Sequence, residues 1–153
     1  MDQRLSSRIS RDILVLKSAI EEIKGQFVDF SVEKGGILLR KDDVISHFVP
    51  IPNEDPSQRN YVPSFERINE ILGSLGDDLC FCGIVHNHIS SSTGYGANRP
   101  SKEDKAFFAS FAKENKKFSP LCFPIVAWQK DGLSIAWYLF DDDLFEAEAM
   151  ILE

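Results

Sequence analysis

Residues 83–104, GIVHNHISSSTGYGANRPSKED, carry the pattern that decides the fold of this chain. Two of its three histidines, His86 and His88, lie one residue apart at the end of an apolar run. A polar loop follows, and Ser101 and Asp104 come after it. Alternate residues of a strand project from the same face, so the two imidazoles would lie roughly 6.6 Å apart along one strand. This spacing allows both histidines to bind one metal ion.

A catalytic zinc site needs a third protein ligand and keeps its fourth position open. Asp104 is the nearest carboxylate with a structural reason to be held still, because Ser101-x-x-Asp104 is typical of a helix N-cap and first turn. Glu103 is the competing carboxylate. Taken alone, each piece also has a plain structural interpretation, a helix start for Ser101-x-x-Asp104 and a strand end for the histidines. Only their combination favours a metal site.

Distance excludes a structural zinc site made of Cys80, Cys82, His86 and His88. These residues share one strand parity, but Cys80 and His88 would lie on the order of 26 Å apart in an extended strand. Zinc bonds are about 2.0 to 2.3 Å long. We therefore predict that Cys80 and Cys82 are small core residues, and that the three cysteines of the chain are reduced.

Composition and charge limit the classes of protein to which the chain can belong. With 153 residues, 43% of them hydrophobic, we expect one compact domain over residues 1–153. The net charge is −7 and the basic residues are scattered, so a nucleic-acid partner is not expected. The sequence shows neither an apolar signal core nor a run of about 18 apolar residues, which favours a cytoplasmic location.

Helical spacing of apolar residues predicts three helices. The first opens the chain and carries Ile9, Ile13, Leu16, Ile20 and Ile23 on one face. The second begins after Ser64, a plausible N-cap. The third extends from Ser101 to about Lys117, and its inward face is predicted to hold Ala106, Phe107, Phe111 and Ala112.

Strands are predicted between these helices. They cover 28–32, GGILL, VISHFVPI, the buried run 79–86 extending to 88, and a hairpin in FPIVAWQKDGLSIAWYLF with its turn at Asp131-Gly132. Trp128, Trp137 and Phe140 are predicted to be core residues. His47 is predicted to be an outward or half-buried strand residue without a role. The tail from Asp141 is left open between a short helix and a trailing segment. This order predicts an α/β fold, a mixed β-sheet flanked by helices.

Several of these pieces together resemble a known family. Glu33 in VEKGGILL, Asn53, GIVHNH and PSKED follow in the order of the JAMM motif of JAB/MPN-domain metalloproteases. The resemblance covers about residues 9–140 and depends on the joint occurrence of its pieces. It implies a JAB/MPN (cytidine-deaminase-like) architecture of the prokaryotic, single-domain type.

The resemblance also implies a role for each residue of the motif. His86, His88 and Asp104 would bind zinc, Glu33 would be the general base for water, and Ser101 would help to stabilise the oxyanion. The glycine pair after Glu33 would let backbone approach closely. The implied activity is that of a zinc-dependent peptidase or isopeptidase, whose partner is a ubiquitin-like protein or its conjugate, cleaved at the C-terminal tail.

The sequence departs from the family pattern at two places. Ile89 stands where the family has proline, and the twelve residues between His88 and Ser101 make a longer gap than the family pattern has. The extra residues of the 89–100 loop could enlarge one rim of the substrate groove without moving the ligands.

Two other functions stay open. One is a non-catalytic MPN-type scaffold or binding module. The other is a RadC-like protein linked to DNA metabolism, because that branch also pairs His-Asn-His with Pro-Ser-x-x-Asp. An HNH nuclease is excluded, since its three residues are dispersed over a ββα unit. Oligomeric state, substrate and pathway stay undetermined.

Overall fold

The computed structural model describes residues 12–89, 98–130 and 132–153. Within these ranges the chain forms three α-helices, which are α1 (Lys17–Gln26), α2 (Phe65–Gly73) and α3 (Lys102–Glu114). A 3-10 turn follows α3 at Lys116–Phe118. In the described part of the chain, none of the helices has both the length and the apolar character needed to span a membrane.

Nine strands in the described residues belong to one sheet. They are β1 (Ile13–Leu16), β2 (Gly35–Lys41), β3 (Val44–Ile51), β4 (Cys80–Asn87), β5 (Leu121–Cys122), β6 (Ile125–Gln129), β7 (Gly132–Asp141), β8 (Asp143–Ala147) and β9 (Ala149–Leu152). The strand order is β5-β7-β6-β4-β2-β3-β1-β9, and β8 pairs with β7. The sheet is mixed, because β1 lies parallel to β3 and β9 whereas β2 lies antiparallel to β3 and β4.

The C-terminal strands join the two ends of this sheet. β8 pairs with β7 on one side and β9 pairs with β1 on the other, yet only Glu148 separates them. The sheet must therefore curve. The predicted tail, a short helix or a trailing segment, is wrong in both forms, because its residues gain hydrogen-bonding partners on strands that are distant in sequence.

Helices cover both faces of the sheet, as the predicted architecture requires. Ala19, Ile20 and Ile23 of α1 pack into one core cluster with β1, β3 and β7. Ile68 of α2 and Phe108 of α3 pack into a second cluster on the opposite face. The mixed α/β fold with flanking helices is therefore confirmed.

The first predicted helix is wrong in its first half. Ile13–Leu16 forms β1, and the helix begins only at Lys17. Ile13 and Val15 alternate as buried residues, so the run ILVL satisfies a strand period as well as a helical one. Pairing with both β3 and β9 favours the strand. Ile9 lies outside the described residues.

The strand predicted at 28–32 is also wrong. This segment is irregular, and Val28 is 76% exposed. Its apolar residues alternate, but no neighbouring strand pairs with them in the described sheet, and β2 begins only at Gly35. The next prediction is confirmed, since β2 and β3 form an antiparallel hairpin around the turn at Asp42.

The inward face of α3 differs in part from the prediction. Phe111 and Ala112 are buried as predicted, whereas Ala106 is exposed and Phe108 takes the central core position. The helix ends at Glu114, three residues before the predicted end, and a 3-10 turn follows it at Lys116–Phe118.

The β6–β7 hairpin is confirmed, with Gln129 paired to Gly132. Gly132 has φ +107°, a left-handed conformation that favours glycine, whereas Asp131 lies outside the described residues. Trp137 is a core residue as predicted. Trp128 is not, because it is 44% exposed and its ring contacts only the partly buried Phe30 among the described aromatic rings.

A bulge in β4 corrects the predicted strand parity. Leu38 pairs with Gly83 but Leu39 pairs with Phe81, so Cys82 is an extra residue. As a result Cys82 packs in the core cluster on the α1 side, whereas Ile84 packs on the α3 side. Cys82 is a small core residue as predicted, and Cys80 is only partly buried.

Candidate functional site

Three polar residues converge where β4 ends and α3 begins. His86 lies at the C-terminal end of β4, His88 directly follows that strand, and Asp104 lies in the first turn of α3. The Nε2 atom of His88 is 2.9 Å from Asp104 Oδ2, and the Nε2 atom of His86 is 3.3 Å from Asp104 Oδ1. Potential ligand atoms of the three residues all lie within 4.8 Å of one another. The structure thus brings together the three residues that the sequence selects.

The burial of His86 gives an independent indication that a cation fits here. The residue is 4% exposed, and its buried Nε2 atom has no hydrogen-bond partner among residues 12–89, 98–130 and 132–153 despite the nearby carboxylate. A buried polar atom left unsatisfied costs about 1–3 kcal/mol. A metal ion would take this nitrogen as a ligand, and two imidazoles with one carboxylate suit a divalent ion such as zinc.

The helix cap and the candidate ligand use the same side chain. The Ser101 hydroxyl accepts a hydrogen bond from the Asp104 backbone N–H at 3.0 Å, and the Ser101 N–H donates to Asp104 Oδ2 at 2.9 Å. This reciprocal capping box fixes the first turn of α3. The plain interpretation of Ser101-x-x-Asp104 is therefore correct, and it also holds the carboxylate in place. Glu103 is exposed and is not part of the three-residue cluster.

The Asp104 carboxyl is ionised at neutral pH. Burial alone would raise its pKa, but interactions with His86 and His88, together with the Ser101 N–H, outweigh burial and hold the pKa well below its ordinary value. A carboxylate in this state accepts hydrogen bonds and binds cations, which is what a metal ligand must do.

Glu33 lies on the same cleft, although it belongs to a different part of the chain. It precedes β2 and lines a cleft of about 620 Å³ together with His86, His88 and Asp104. Burial raises the pKa of Glu33, and the nearby His86 and His88 offset this rise in part. The Tyr61 backbone N–H donates a hydrogen bond to the carboxylate. A half-buried carboxylate with a raised pKa is a better proton acceptor than a solvated one.

Close packing around Gly35 explains the glycine pair after Glu33. Gly35 pairs with His86 across β2 and β4, and a Cβ atom there would collide with the Val85 backbone carbonyl and lie 2.5 Å from the ring of Tyr61. The Tyr61 ring lies parallel to the His86 ring, with centroids 6.3 Å apart, and its hydroxyl donates to the Ile51 carbonyl at 3.0 Å. The expected close approach of the backbone is therefore confirmed.

Two aromatic walls of the site are not among the residues that the sequence selects. Tyr61 lies in a polar loop, where no periodic neighbour marks it. Phe108 contacts the edge of the His86 ring at a centroid distance of 6.2 Å and stacks on Phe123 at 4.3 Å. A signal for Phe108 exists, because it follows Asp104 by four residues and so lies on the same face of α3.

Two asparagines organise the backbone beside the site. The Asn53 side chain donates to the carbonyls of Glu33, at 2.9 Å, and Asn60, at 2.8 Å. Its Oδ1 atom accepts from the N–H groups of Asp55 and Val62. Asn53 therefore ties its loop to the segment that carries Glu33. Asn87, between the two histidines, is fully buried.

The remaining candidates are separate from this cluster. His47 is exposed on β3, as predicted, with its Nδ1 atom 2.8 Å from the Ser46 hydroxyl. The cysteines are not part of the three-residue group. Of the 89–100 loop, Ile89 lines the cleft, and residues 90–97 lie outside the described residues, so the predicted enlargement of the groove cannot be placed on them.

Comparisons with known proteins identify the fold. No protein-family model matches the chain. No curated protein matches it either. Among solved structures, protein DSY2949 from Desulfitobacterium hafniense matches with a TM-score of 0.66 and 19% identity, over 92% of this chain and 93% of that one. AF2198 from Archaeoglobus fulgidus, a JAB1/MPN domain protein, matches with a TM-score of 0.50 and 22% identity, over 92% of this chain and 99% of that one. The chain thus shares its mixed α/β fold with a JAB1/MPN domain protein.

Proposed function

We propose that this protein is a zinc-dependent peptidase or isopeptidase of the JAMM type, with a single JAB/MPN-like domain over residues 1–153. The observation that carries the proposal is the placement of Glu33 on the same cleft as the cluster of His86, His88 and Asp104. A metal site without a nearby proton acceptor would fit a structural role. Here a half-buried carboxylate with a raised pKa lies beside the candidate ligands.

In this proposal the residues divide into binding and catalytic roles. His86, His88 and Asp104 hold the ion, and a bound zinc ion supplies a Lewis acid that polarises a carbonyl group and lowers the pKa of water. The Glu33 carboxylate takes the proton from the attacking water and returns it to the leaving amine. The Ser101 hydroxyl accepts one bond from the Asp104 N–H, so its own O–H can donate to the substrate carbonyl oxygen.

The substrate in this proposal is an amide or isopeptide bond at the C-terminal tail of ubiquitin or a ubiquitin-like protein. The family resemblance of Glu33, the His-x-His pair and Pro-Ser-x-x-Asp motivates that choice. The cleft has a volume of about 620 Å³, which is within the range of sites that hold a ligand. Its walls combine aromatic rings with the polar groups that the chemistry requires.

The test compares cleavage with metal content in matched variants. Zinc-loaded protein is incubated with ubiquitin-like proteins that carry a C-terminal peptide extension or a lysine-linked conjugate, and products are read by mass spectrometry. Glu33→Gln should lower turnover roughly 100- to 10,000-fold, the usual contribution of a general base, while zinc stays bound. Asp104→Asn should lose zinc, whereas Glu103→Gln should keep it.

The outcomes separate the enzyme from a binding module. Unchanged cleavage by Glu33→Gln would overturn the assignment of the base. Zinc bound by the wild-type protein, without cleavage of any substrate in the panel, would favour the non-catalytic MPN-type module. Zinc that survives Asp104→Asn would show that another residue provides the third ligand.

A further inference from the structure

Asn87 is completely buried, which is uncommon for a polar side chain. It lies between His86 and His88 at the end of β4 and has no exposed surface. A buried amide is costly unless its donor and its acceptor are both satisfied. Every strong contact of this side chain goes to one short segment, which is the segment that carries Glu33.

The contacts lie on both sides of Glu33. The Asn87 Oδ1 atom accepts from the Lys34 N–H at 2.5 Å, and its Nδ2 atom donates to the Val32 carbonyl at 3.0 Å. The Asn87 backbone N–H also donates to the Lys34 carbonyl at 3.1 Å. The weaker remaining contact runs from Nδ2 to the His88 carbonyl at 3.5 Å. One residue of β4 therefore holds both neighbours of Glu33.

The chemistry of the contacts requires an amide. The Lys34 N–H has its acceptor and the Val32 carbonyl has its donor in this one side chain. The two backbone groups also fix which end of the amide is oxygen and which is nitrogen. Aspartate would offer only acceptors at neutral pH, and alanine would offer neither group.

Among the described residues the segment 32–34 is not part of any strand, and its backbone bond to the sheet is that from the Asn87 N–H to the Lys34 carbonyl. It is irregular, and β2 pairing begins only at Gly35. On its other side the Glu33 N–H donates to the Gln58 carbonyl at 2.8 Å, and Asn53 donates to the Glu33 carbonyl. Asn87 supplies the contacts from β4, the strand that also carries His86.

We propose that Asn87 is a positioning residue, which fixes Glu33 relative to His86 and His88 by bridging the Val32 carbonyl and the Lys34 N–H. The proposal rests on the function proposed above, since it gives Glu33 its geometry for proton transfer. The end of β4 then provides two metal ligands, His86 and His88, and the residue between them, Asn87, aligns the base.

The test uses Asn87→Ala, the isosteric Asn87→Asp and the control Asn115→Ala. Asn115 also donates from its side chain to a buried backbone carbonyl, that of Phe111 at 2.9 Å, but at the opposite end of α3. The first measurement is amide hydrogen exchange by NMR on protein without added metal. The second is the set of pseudocontact shifts of the 32–34 amides after loading with cobalt, together with the cobalt content.

The expected result is local to the Glu33 segment. In Asn87→Ala the Lys34 amide should exchange roughly tenfold faster or more, because its acceptor is lost. Asn87→Asp keeps that acceptor, so Lys34 should stay protected while the loss of the bond to Val32 displaces the segment. Pseudocontact shifts of the Glu33 amide should change in both Asn87 variants, with cobalt still bound, and should stay at their wild-type values in Asn115→Ala.

Other results would contradict either the positioning role of Asn87 or the proposed function, and the two cases can be told apart. Unchanged Lys34 exchange in Asn87→Ala, or unchanged Glu33 shifts in both Asn87 variants, would overturn the positioning role. If Asn87→Ala does not fold, the isosteric Asn87→Asp decides through the Glu33 shifts. If wild-type protein binds no cobalt, the proposed function fails, and Lys34 exchange still shows whether Asn87 holds the segment.

Discussion

Zinc bound at the proposed site should raise the thermal stability of this protein by a predictable amount. The side chains of His86, His88 and Asp104 are only 6%, 15% and 19% exposed, so folding arranges the candidate ligands in advance. In the unfolded chain the two histidines are separated from Asp104 by a long loop. Zinc should therefore bind the folded state far more tightly than the unfolded one.

The size of the effect follows from binding linkage. At a free zinc concentration of 1,000 times Kd, binding adds about 4.1 kcal/mol to the free energy of unfolding. For a chain of about this length, each kcal/mol moves Tm by about 2–4 °C, so the expected rise is about 8–16 °C. Zinc would also give the buried His86 Nε2 atom a partner, which it lacks in the part of the chain that the structure describes.

Differential scanning calorimetry of chelator-treated protein, with and without added zinc, measures this shift. His88→Ala should lose most of the rise, because one of three ligands is gone. His47→Ala is the matched control, since it removes an exposed histidine on β3 and should keep the full rise. A zinc-dependent rise that is equal in wild type and His88→Ala would refute the assignment of the ligands.

Three further predictions concern the packing around two glycines and the thiols. Gly35→Ala should lower the free energy of unfolding in urea by about 1–3 kcal/mol, because its Cβ would collide with the Tyr61 ring. Gly73→Ala in α2 should raise it by about 0.5–1 kcal/mol, because a Cβ there meets nothing within 4 Å. Equal effects of the two substitutions would contradict the packing argument. Burial raises the pKa of Cys82 from 9.0 to about 12, so the folded state favours its protonated thiol. The stability that this protonated thiol contributes is complete below about pH 9 and is lost as the pH rises towards about 12. The free energy of unfolding should therefore fall less between about pH 8 and pH 10.5 in Cys82→Ala than in the wild-type protein. In native protein at about pH 8, a thiol-reactive chromogenic disulfide should react with Cys80 well before the two buried cysteines.

Local patterns account for the parts of the site that lie close together in sequence. The His-x-His spacing, the capping box of Ser101 and Asp104, and the glycine pair after Glu33 each depend on neighbours within a few residues. Such features follow from strand alternation and helix-end geometry, and they can therefore be predicted without the fold. The same holds for the hairpin between β6 and β7.

The secondary structure predicted from the sequence is wrong where strand pairing with residues distant in sequence decides which element forms. The run Ile13–Leu16 is compatible with both periods, and only pairing with β3 and β9 makes it a strand. The tail strands exist because β7 and β1 offer them edges. The bulge at Cys82 reverses the side-chain alternation of β4, and Gly83 beside it is the local signal that the sequence-based prediction did not use.

The amino-acid sequence by itself determined the identity of the candidate ligands His86, His88 and Asp104, because these depend on residue type and short spacing, whereas Glu33 as the candidate base is what the family resemblance implies. Only the tertiary structure decided that Glu33 shares a cleft with His86, that Tyr61 and Phe108 enclose this histidine, and that Asn87 holds the Glu33 segment. The physical reason is that these contacts join residues far apart along the chain. They form only when the sheet brings β2 and β4 side by side and α3 packs across their end.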